Sequence, residues 1–134
     1  MAIMLDADVV IRGEKGIFDL AAWLTSRPDD DFEMAAITVA ELRHGVERAK
    51  KGKQRTGRER YLKAITSVLP IIPYTEKTAY EHARLWAHLQ SAGTMIGYYD
   101  AIVAASALER GSKVATFNRR HFDRVPGLAV IEPA

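Results

Sequence analysis

Asp100-Ala101-Ile102-Val103-Ala104-Ala105-Ser106-Ala107-Leu108-Glu109-Arg110-Gly111-Ser112-Lys113-Val114-Ala115-Thr116 is the stretch of sequence that decides the fold. A helix over residues 100–109 would be apolar nearly all round, so it must be buried among other elements. Gly111 suits the left-handed conformation that commonly ends a helix. Residues 114–116 then supply a short apolar strand. A buried helix leading into a buried strand indicates a sheet with helices packed on it.

The rest of the chain alternates in the same way. The other predicted strands are residues 2–5, 34–37, 70–73 and 128–131. The other predicted helices are residues 17–24, a helix opened by Thr38, residues 58–68 and residues 75–90, with a polar linker at 50–56. Strands separated by helices need crossover connections, so we expect an α/β fold with a mainly parallel sheet covered by helices. The length of 134 residues fits one domain spanning residues 1–134.

Composition excludes several classes of protein. The chain is 48% hydrophobic and 27% charged, which is typical of a globular domain and not of a disordered chain. It has no cysteine, which excludes disulfide scaffolds, thiolate metal sites and thiol nucleophiles. The longest apolar run is too short for a membrane span, and the first residues lack the features of a signal peptide. We therefore expect a cytoplasmic protein with no membrane partner.

The charge is distributed unevenly along the chain. Residues 1–40 hold three basic and eight acidic side chains, a net charge of −5. Residues 43–63, the basic segment, hold nine Lys or Arg against Glu47 and Glu59, a net charge of +7. Such a segment is typical of a surface that meets a polyanion or an acidic partner, although a solvated helix face would look the same.

Four polar residues follow predicted strands or open predicted helices, and each has an ordinary structural explanation. Asp6 closes the first strand and could cap a turn or helix. Thr38-x-x-Glu41 matches the capping box of a helix start. Asp100 could favour the exposed amides at the start of its helix, and Asn118 could cap a short turn over residues 119–122.

Together, these four residues suggest a metal site. The carboxyl ends of parallel strands meet at one edge of the sheet, where the ligand sites of such folds lie. Clustered carboxylates repel one another and lose solvation, so a fold tolerates them mainly when a cation neutralises them. Ligands that are all oxygens favour Mg²⁺, with Mn²⁺ as a substitute. Such an ion polarises a phosphoryl group and activates a water molecule.

At these residues the chain resembles a known family. The segments that carry the resemblance are Leu5-Asp6-Ala7-Asp8-Val9, Thr38-Val39-Ala40-Glu41-Leu42-Arg43-His44-Gly45, Gly97-Tyr98-Tyr99-Asp100-Ala101-Ile102-Val103-Ala104-Ala105 and Thr116-Phe117-Asn118-Arg119-Arg120-His121-Phe122. They look like the four signature blocks of PIN-domain ribonucleases, and their order and spacing are most similar to the VapC toxins of toxin–antitoxin modules. The resemblance covers essentially the whole chain and implies a three-layer PIN-like fold.

The resemblance also implies the site and its partners. The family's acidic site maps onto Asp6, Glu41 and Asp100, with Asn118 at the fourth position and with Asp6 and Asp100 as metal ligands. This sequence departs from the family at Ala7, where a Thr or Ser is common, and at Asn118, where an Asp is frequent. The implied activity is that of a Mg²⁺-dependent endoribonuclease toxin with one firmly held ion. The implied partners are RNA, a second copy of the chain, and a VapB-type antitoxin whose tail blocks the site and through which alone the complex meets DNA.

Two other functions remain open at this stage. Asp6-Ala7-Asp8-Val9-Val10 also fits the nucleophile motif of haloacid-dehalogenase-like phosphatases, in which Asp6 is phosphorylated and Asp8 acts as the general acid. The later motifs of that family are missing. A PIN-like domain that binds RNA without cutting it is the other alternative, although a simple RNA binder gains nothing from carboxylates that face phosphates.

Overall fold

A computed structural model describes residues 1–134 and contains seven helices and five strands. The strands are β1 (Ala2–Leu5), β2 (Asp31–Ala35), β3 (Ile71–Ile72), β4 (Lys113–Ala115) and β5 (Val130–Ile131). The helices are α1 (Ala7–Glu14), α2 (Leu20–Thr25), α3 (Ala36–Arg48), α4 (Lys53–Val68), α5 (Glu76–Ala92), α6 (Tyr98–Arg110) and α7 (Arg119–Phe122).

All five strands form one parallel sheet in the order β3-β2-β1-β4-β5. The central strand β1 pairs with β2 on one side and with β4 on the other, so that Met4 lies opposite both Glu33 and Val114. The expected parallel α/β fold is confirmed. The order also places the carboxyl ends of β2, β1 and β4 side by side.

Two hydrophobic cores cover the two faces of the sheet. On one face, Met4 and Val114 pack with residues of α5, α6 and α7. On the other face, Ile3 and Leu5 pack with residues of α1 and α2. Successive strand residues point to opposite faces, so the run from residue 3 to residue 5 contributes to both cores. The result is the three-layer α/β/α arrangement.

The predicted helix over residues 100–109 is confirmed as α6, which begins two residues earlier, at Tyr98. Its residues Val103, Ala104, Ala105 and Ala107 have no exposed surface. Gly111 ends it in the left-handed conformation with φ of 68°. Because α6 runs back across the sheet, its first turn lies at the carboxyl ends of the strands.

Several predicted boundaries were wrong. α1 was not predicted, and the helix expected over 17–24 is α2. The strand expected over 34–37 is β2, which ends at Ala35. α3 starts at the next residue, two residues before Thr38. The expected linker over 50–56 is shorter, because α4 already begins at Lys53.

Other expectations agree more closely. The strands expected over 70–73 and 128–131 are the two-residue β3 and β5. Thr75 caps α5 as expected, and its side chain accepts a hydrogen bond from the Thr78 backbone N–H. None of the helices has the length and apolar character needed to cross a membrane.

Candidate active site

The four candidate residues come from neighbouring elements at the carboxyl edge of the sheet. Asp6 directly follows β1, and Asn118 follows β4, the next strand in the sheet. Glu41 lies in the second turn of α3, which leaves the end of β2, and Asp100 is the third residue of α6. The topology therefore brings these residues to one side of the molecule.

Asp6 is buried and fixed by two hydrogen bonds. Its side chain is the N-cap of α1, and Oδ1 accepts the backbone N–H of Ala7 at 2.8 Å. Its Oδ2 accepts the hydroxyl of Thr116 at 2.8 Å, and Thr116 Oγ1 in turn accepts the backbone N–H of Asn118 at 2.9 Å. Thr116 has no exposed surface. This hydroxyl therefore fixes the plane of the Asp6 carboxylate relative to the loop after β4.

Asp8 belongs to the same group of carboxylates. Its Oδ2 accepts the backbone N–H of Phe117 at 3.0 Å, and its Oδ1 lies 3.4 Å from Thr116 Oγ1. Asp8 is the second residue of α1. Its hydrogen bonds join the start of α1 to the loop after β4.

Glu41 does not belong to a capping box, and that expectation was wrong. The N-cap of α3 is Ala35, which makes no side-chain cap, so Thr38 and Glu41 lie inside the helix. Thr38 is fully buried, and neither its Oγ1 nor Glu41 Oε1 has a hydrogen-bond partner. Buried polar groups are normally paired, so an unpartnered carboxylate oxygen is a candidate ligand for a bound water or ion.

Asn118 does not cap α7 through its side chain, so that expectation was wrong as well. Its Nδ2 lies 2.9 Å from His121 Nδ1, and the same nitrogen lies 3.1 Å from Asp100 Oδ2. One ring nitrogen cannot both donate to Asp100 and accept from Asn118, so the tautomer of His121 decides which contact is a hydrogen bond. The imidazole therefore connects Asp100 with the fourth site position.

Burial and neighbouring carboxylates raise the pKa values of Asp6 and Glu41. Burial raises the pKa of Asp6 to about 7, and the charge of Asp8 and then that of Asp100 add to this effect. Burial also raises the pKa of Glu41 to about 7, with Asp100 and Asp8 adding to it. Burial raises the pKa of Asp8 as well, against the opposing effects of the Phe117 N–H and, after it, the charge of Arg12. The four side chains therefore form one electrostatic group, which we call the acidic pocket: Asp6, Asp8, Glu41 and Asp100.

The acidic pocket suits a hard divalent cation chemically. Its donors are all oxygens, and Glu41 Oε1 is a buried acceptor with no partner. A cation would also relieve the repulsion among the carboxylates. No three Asp, Glu or His side chains already stand in coordinating positions, so binding would require the carboxylates to converge.

Comparison with known proteins gives the family. The PIN domain family model matches residues 3–128. The chain belongs to the PIN domain family. The VapC ribonuclease Y4jK of Sinorhizobium fredii is 33% identical over 98% of this chain and 96% of its own length. Within that family, the chain is similar to the VapC ribonucleases.

Solved VapBC structures show the same fold. The VapC fold of a Salmonella typhimurium VapBC complex bound to DNA has a TM-score of 0.87 and 26% identity, over 98% of both chains. The chain of VapBC2 from Rickettsia felis, crystallised with a promoter DNA fragment, has a TM-score of 0.92 over 100% of both chains, and its 24% identity makes this a likeness of fold. These findings favour the VapC interpretation over the phosphatase and over a simple RNA-binding domain.

Sequence reasoning missed the role of Thr116 in the VapC-type site. It was named as the end of a strand and the first residue of the fourth family segment, without a role of its own, yet its hydroxyl contacts Asp6, Asp8 and the backbone of Asn118. The spacing Thr116-x-Asn118 was the available signal. A hydroxyl at the end of a strand can reach both the carboxylate that follows the neighbouring strand in the sheet and the loop that follows its own strand. The contact of His121 with Asp100 could not be read from the sequence, since the two residues belong to different helices.

Proposed function

We propose that the chain is a Mg²⁺-dependent endoribonuclease, with Mn²⁺ as a substitute, and the toxin of a VapBC-type module. The acidic pocket, with its unpartnered Glu41 oxygen and raised carboxyl pKa values, is the observation that supports metal dependence. We infer that residues 1–134 act as one PIN domain.

Each site residue has a distinct part in this proposal. Asp6 and Asp100 hold the ion, and Glu41 completes the pocket. Asn118 helps to orient the attacking water, supported by its contact with His121. A bound Mg²⁺ ion supplies polarisation of the phosphoryl group and activation of that water. The Thr116 hydroxyl and the Ala7 N–H keep the Asp6 carboxylate in one orientation.

Cleavage of RNA by the purified protein tests the proposal. We expect cleavage with Mg²⁺, none with EDTA, and recovery when Mg²⁺ or Mn²⁺ is added back. Asp100→Asn should abolish cleavage, whereas Asp29→Asn, at an exposed loop position before β2, should leave it unchanged. Cleavage that persists in EDTA would contradict metal dependence. RNA binding without cleavage under all conditions would favour the non-catalytic alternative.

We further infer that an antitoxin tail binds in a groove that leads to the pocket. A cavity of about 200 Å³ lies between α1, α3 and α4, lined by Glu41 of the acidic pocket and by apolar side chains such as Val10 and Leu42. Glu14 and Arg58 add charge to the same groove. A segment lying there could place a basic side chain among the carboxylates. Contact of the complex with DNA would then be made by the antitoxin.

A homodimer is the second assembly that we propose. Tyr74, Trp86 and Tyr98 are 46%, 43% and 65% exposed, and they surround His82 on the outer side of α5 and the start of α6. Exposed aromatic residues in contact with one another mark a protein-binding surface more often than isolated ones do. Light scattering should give a dimer for the natural chain and a monomer for Trp86→Glu.

A further inference from the structure

Arg12 is a cation beside the acidic pocket that the proposed chemistry does not use. It lies in the last turn of α1, four residues after Asp8, and is exposed. Because residues four apart share one face of a helix, its side chain lies on the same side of α1 as Asp8. Asp8 is bound to the loop after β4 through the Phe117 N–H.

The guanidinium group of Arg12 rests on an aromatic ring and forms no close ion pair, although its charge acts on Asp8 at longer range. It stacks over the ring of Phe117 at 4.4 Å from the ring centre, and that ring packs edge-on against Phe18 at 5.2 Å. No carboxylate lies within 4.0 Å of the Arg12 guanidinium, and none of the guanidinium N–H groups makes a hydrogen bond within the protein. By contrast, seven other arginines form ion pairs with Asp or Glu: Arg27, Arg43, Arg55, Arg58, Arg84, Arg110 and Arg119.

We propose that Arg12 binds a backbone phosphate of the RNA strand at the mouth of the acidic pocket. The proposal rests on the ribonuclease function proposed above. A phosphodiester that approaches four carboxylates is repelled, and a cation beside them reduces that repulsion. The planar guanidinium offers paired N–H donors that match phosphate oxygens, and stacking on Phe117 reduces the freedom it would lose on binding.

A structural role for Arg12 makes different predictions. A basic residue in the last turn of a helix stabilises the helix dipole, and Arg12 is the basic residue in the last turn of α1. In that case its replacement would lower the melting temperature and leave RNA affinity unchanged. A phosphate contact requires the opposite combination, with lower RNA affinity and little change in melting temperature.

RNA binding without cleavage separates the two roles. Fluorescence anisotropy would measure the binding of a short single-stranded RNA oligonucleotide of mixed sequence to the Asp100→Asn protein over a range of salt concentrations. Into this background we would introduce Arg12→Gln, Arg12→Lys, Phe117→Leu and, as a matched loss of one exposed arginine, Arg84→Gln. Melting temperatures would be measured on the same samples.

We expect Arg12→Gln to weaken RNA binding by about tenfold at low salt and to reduce the slope of log affinity against log salt by roughly 0.7, the value for one contact to a single strand. Arg12→Lys should retain the slope and lose only part of the affinity, because lysine keeps the positive charge but lacks the paired N–H donors of the guanidinium. Arg84→Gln should change neither quantity.

Phe117→Leu removes the ring but keeps the backbone N–H that binds Asp8. It should weaken binding in the presence of Arg12 and have no further effect in Arg12→Gln, because the two residues act through one contact. In the active protein, Arg12→Gln should raise KM much more than it lowers kcat.

An Arg12→Gln protein with unchanged RNA affinity and salt slope would overturn the proposal while leaving the ribonuclease function intact. Absence of both RNA binding and RNA cleavage in the natural chain would overturn both.

Discussion

Asp6 combines two hydrogen bonds to its carboxylate with a pKa raised to about 7, chiefly by burial. The hydrogen bonds favour the charged form, whereas burial and the neighbouring Asp8 and Asp100 disfavour it more strongly. An isolated protein gains nothing from this arrangement, because the buried charge lowers its stability. A bound cation would offset this loss of stability by neutralising the buried carboxylate.

The pKa of Asp6 predicts how stability depends on pH in the metal-free protein. Above the ordinary carboxyl pKa of about 4 the unfolded chain releases its proton first. The folded state therefore loses stability between about pH 4 and its own pKa of about 7, and the loss persists at higher pH. Asp6→Asn should melt at a higher temperature than the natural chain above about pH 7, and the difference should vanish near pH 4.

The asparagine suits this position because its oxygen can accept the Ala7 N–H and its amide can donate to Thr116. Thermal unfolding in EDTA measures the effect. Added Mg²⁺ should raise the melting temperature of the natural chain and leave that of Asp6→Asn unchanged. A difference that is the same at low and high pH would show that the ionisation of Asp6 does not cause it.

At the scale of elements, the start of α3 decides what Thr38 and Glu41 can do. The chain passes from β2 directly into α3 with no intervening loop, so Thr38 is a buried residue of the first turn instead of its cap. Its unpartnered hydroxyl lowers stability.

Thr38→Val keeps the branched shape and removes this hydroxyl. We expect it to raise the free energy of unfolding by about 1 kcal/mol, because a buried polar group without a partner is removed. A helix cap would give the opposite sign, a loss of about 1 kcal/mol. Denaturant unfolding of two variants, Thr38→Val and Thr75→Val, tests this, because Thr75 is the side-chain cap of α5. The free energy of unfolding should rise in the first variant and fall in the second.

Several elements could be predicted from the sequence because their signal is local. The helix at 100–109 is apolar nearly all round, and the apolar strand Ala2–Leu5 is followed directly by Asp6. These patterns predict the helix and the strand, and they place Asp6 and Asp100 at the same edge of the sheet. The start of α3 could not be predicted, since β2 and α3 share one continuous apolar run. α4 was predicted too short because its first turns are held by ion pairs with α3, such as Arg55 with Glu47.

The same ion pairs refine the interpretation of the basic segment. Arg43 bridges Glu47 and Glu59, and Arg55 also pairs with Glu47, so the charges of these two arginines are largely neutralised between α3 and α4. Lys50, Lys51 and Lys53 have no carboxylate within 4.0 Å and remain available for a polyanion. Three of the nine basic residues therefore form ion pairs, Arg43, Arg55 and Arg58. The other six do not, and four of these lie in or beside the turn between the two helices: Arg48, Lys50, Lys51 and Lys53.

Replacing Lys50, Lys51 and Lys53 together with Gln should raise KM for RNA and make KM less dependent on salt. RNA bound through fewer phosphate contacts releases fewer counterions. The value of kcat should change little, since these side chains lie away from the acidic pocket. Cleavage kinetics at several salt concentrations test this, with Lys77→Gln/Arg84→Gln on α5 as the control. Equal salt slopes would instead indicate a solvated surface or an antitoxin contact.

At the scale of the whole molecule, the groove and the acidic pocket share Glu41, which makes inhibition and catalysis difficult to separate by mutation at that residue. Gly45 lies one turn further along α3 and lines the same groove, and a Cβ at this position would meet no atom within 4 Å. A larger residue here would occupy the groove without touching the carboxylates. Gly57, in α4, is equally unhindered and lies outside the groove, which makes it a matched control.

Gly45→Leu and Gly57→Leu should both raise the melting temperature, because leucine stabilises a helix interior relative to glycine by up to about 1 kcal/mol. Only Gly45→Leu should lose affinity for the antitoxin, since only its side chain enters the groove. Both variants should cleave RNA at the natural rate, so cells that express Gly45→Leu should stop growing even when a VapB-type antitoxin that neutralises the natural chain is co-expressed. Neutralisation of Gly45→Leu as complete as that of Gly57→Leu would place the antitoxin tail elsewhere on the molecule.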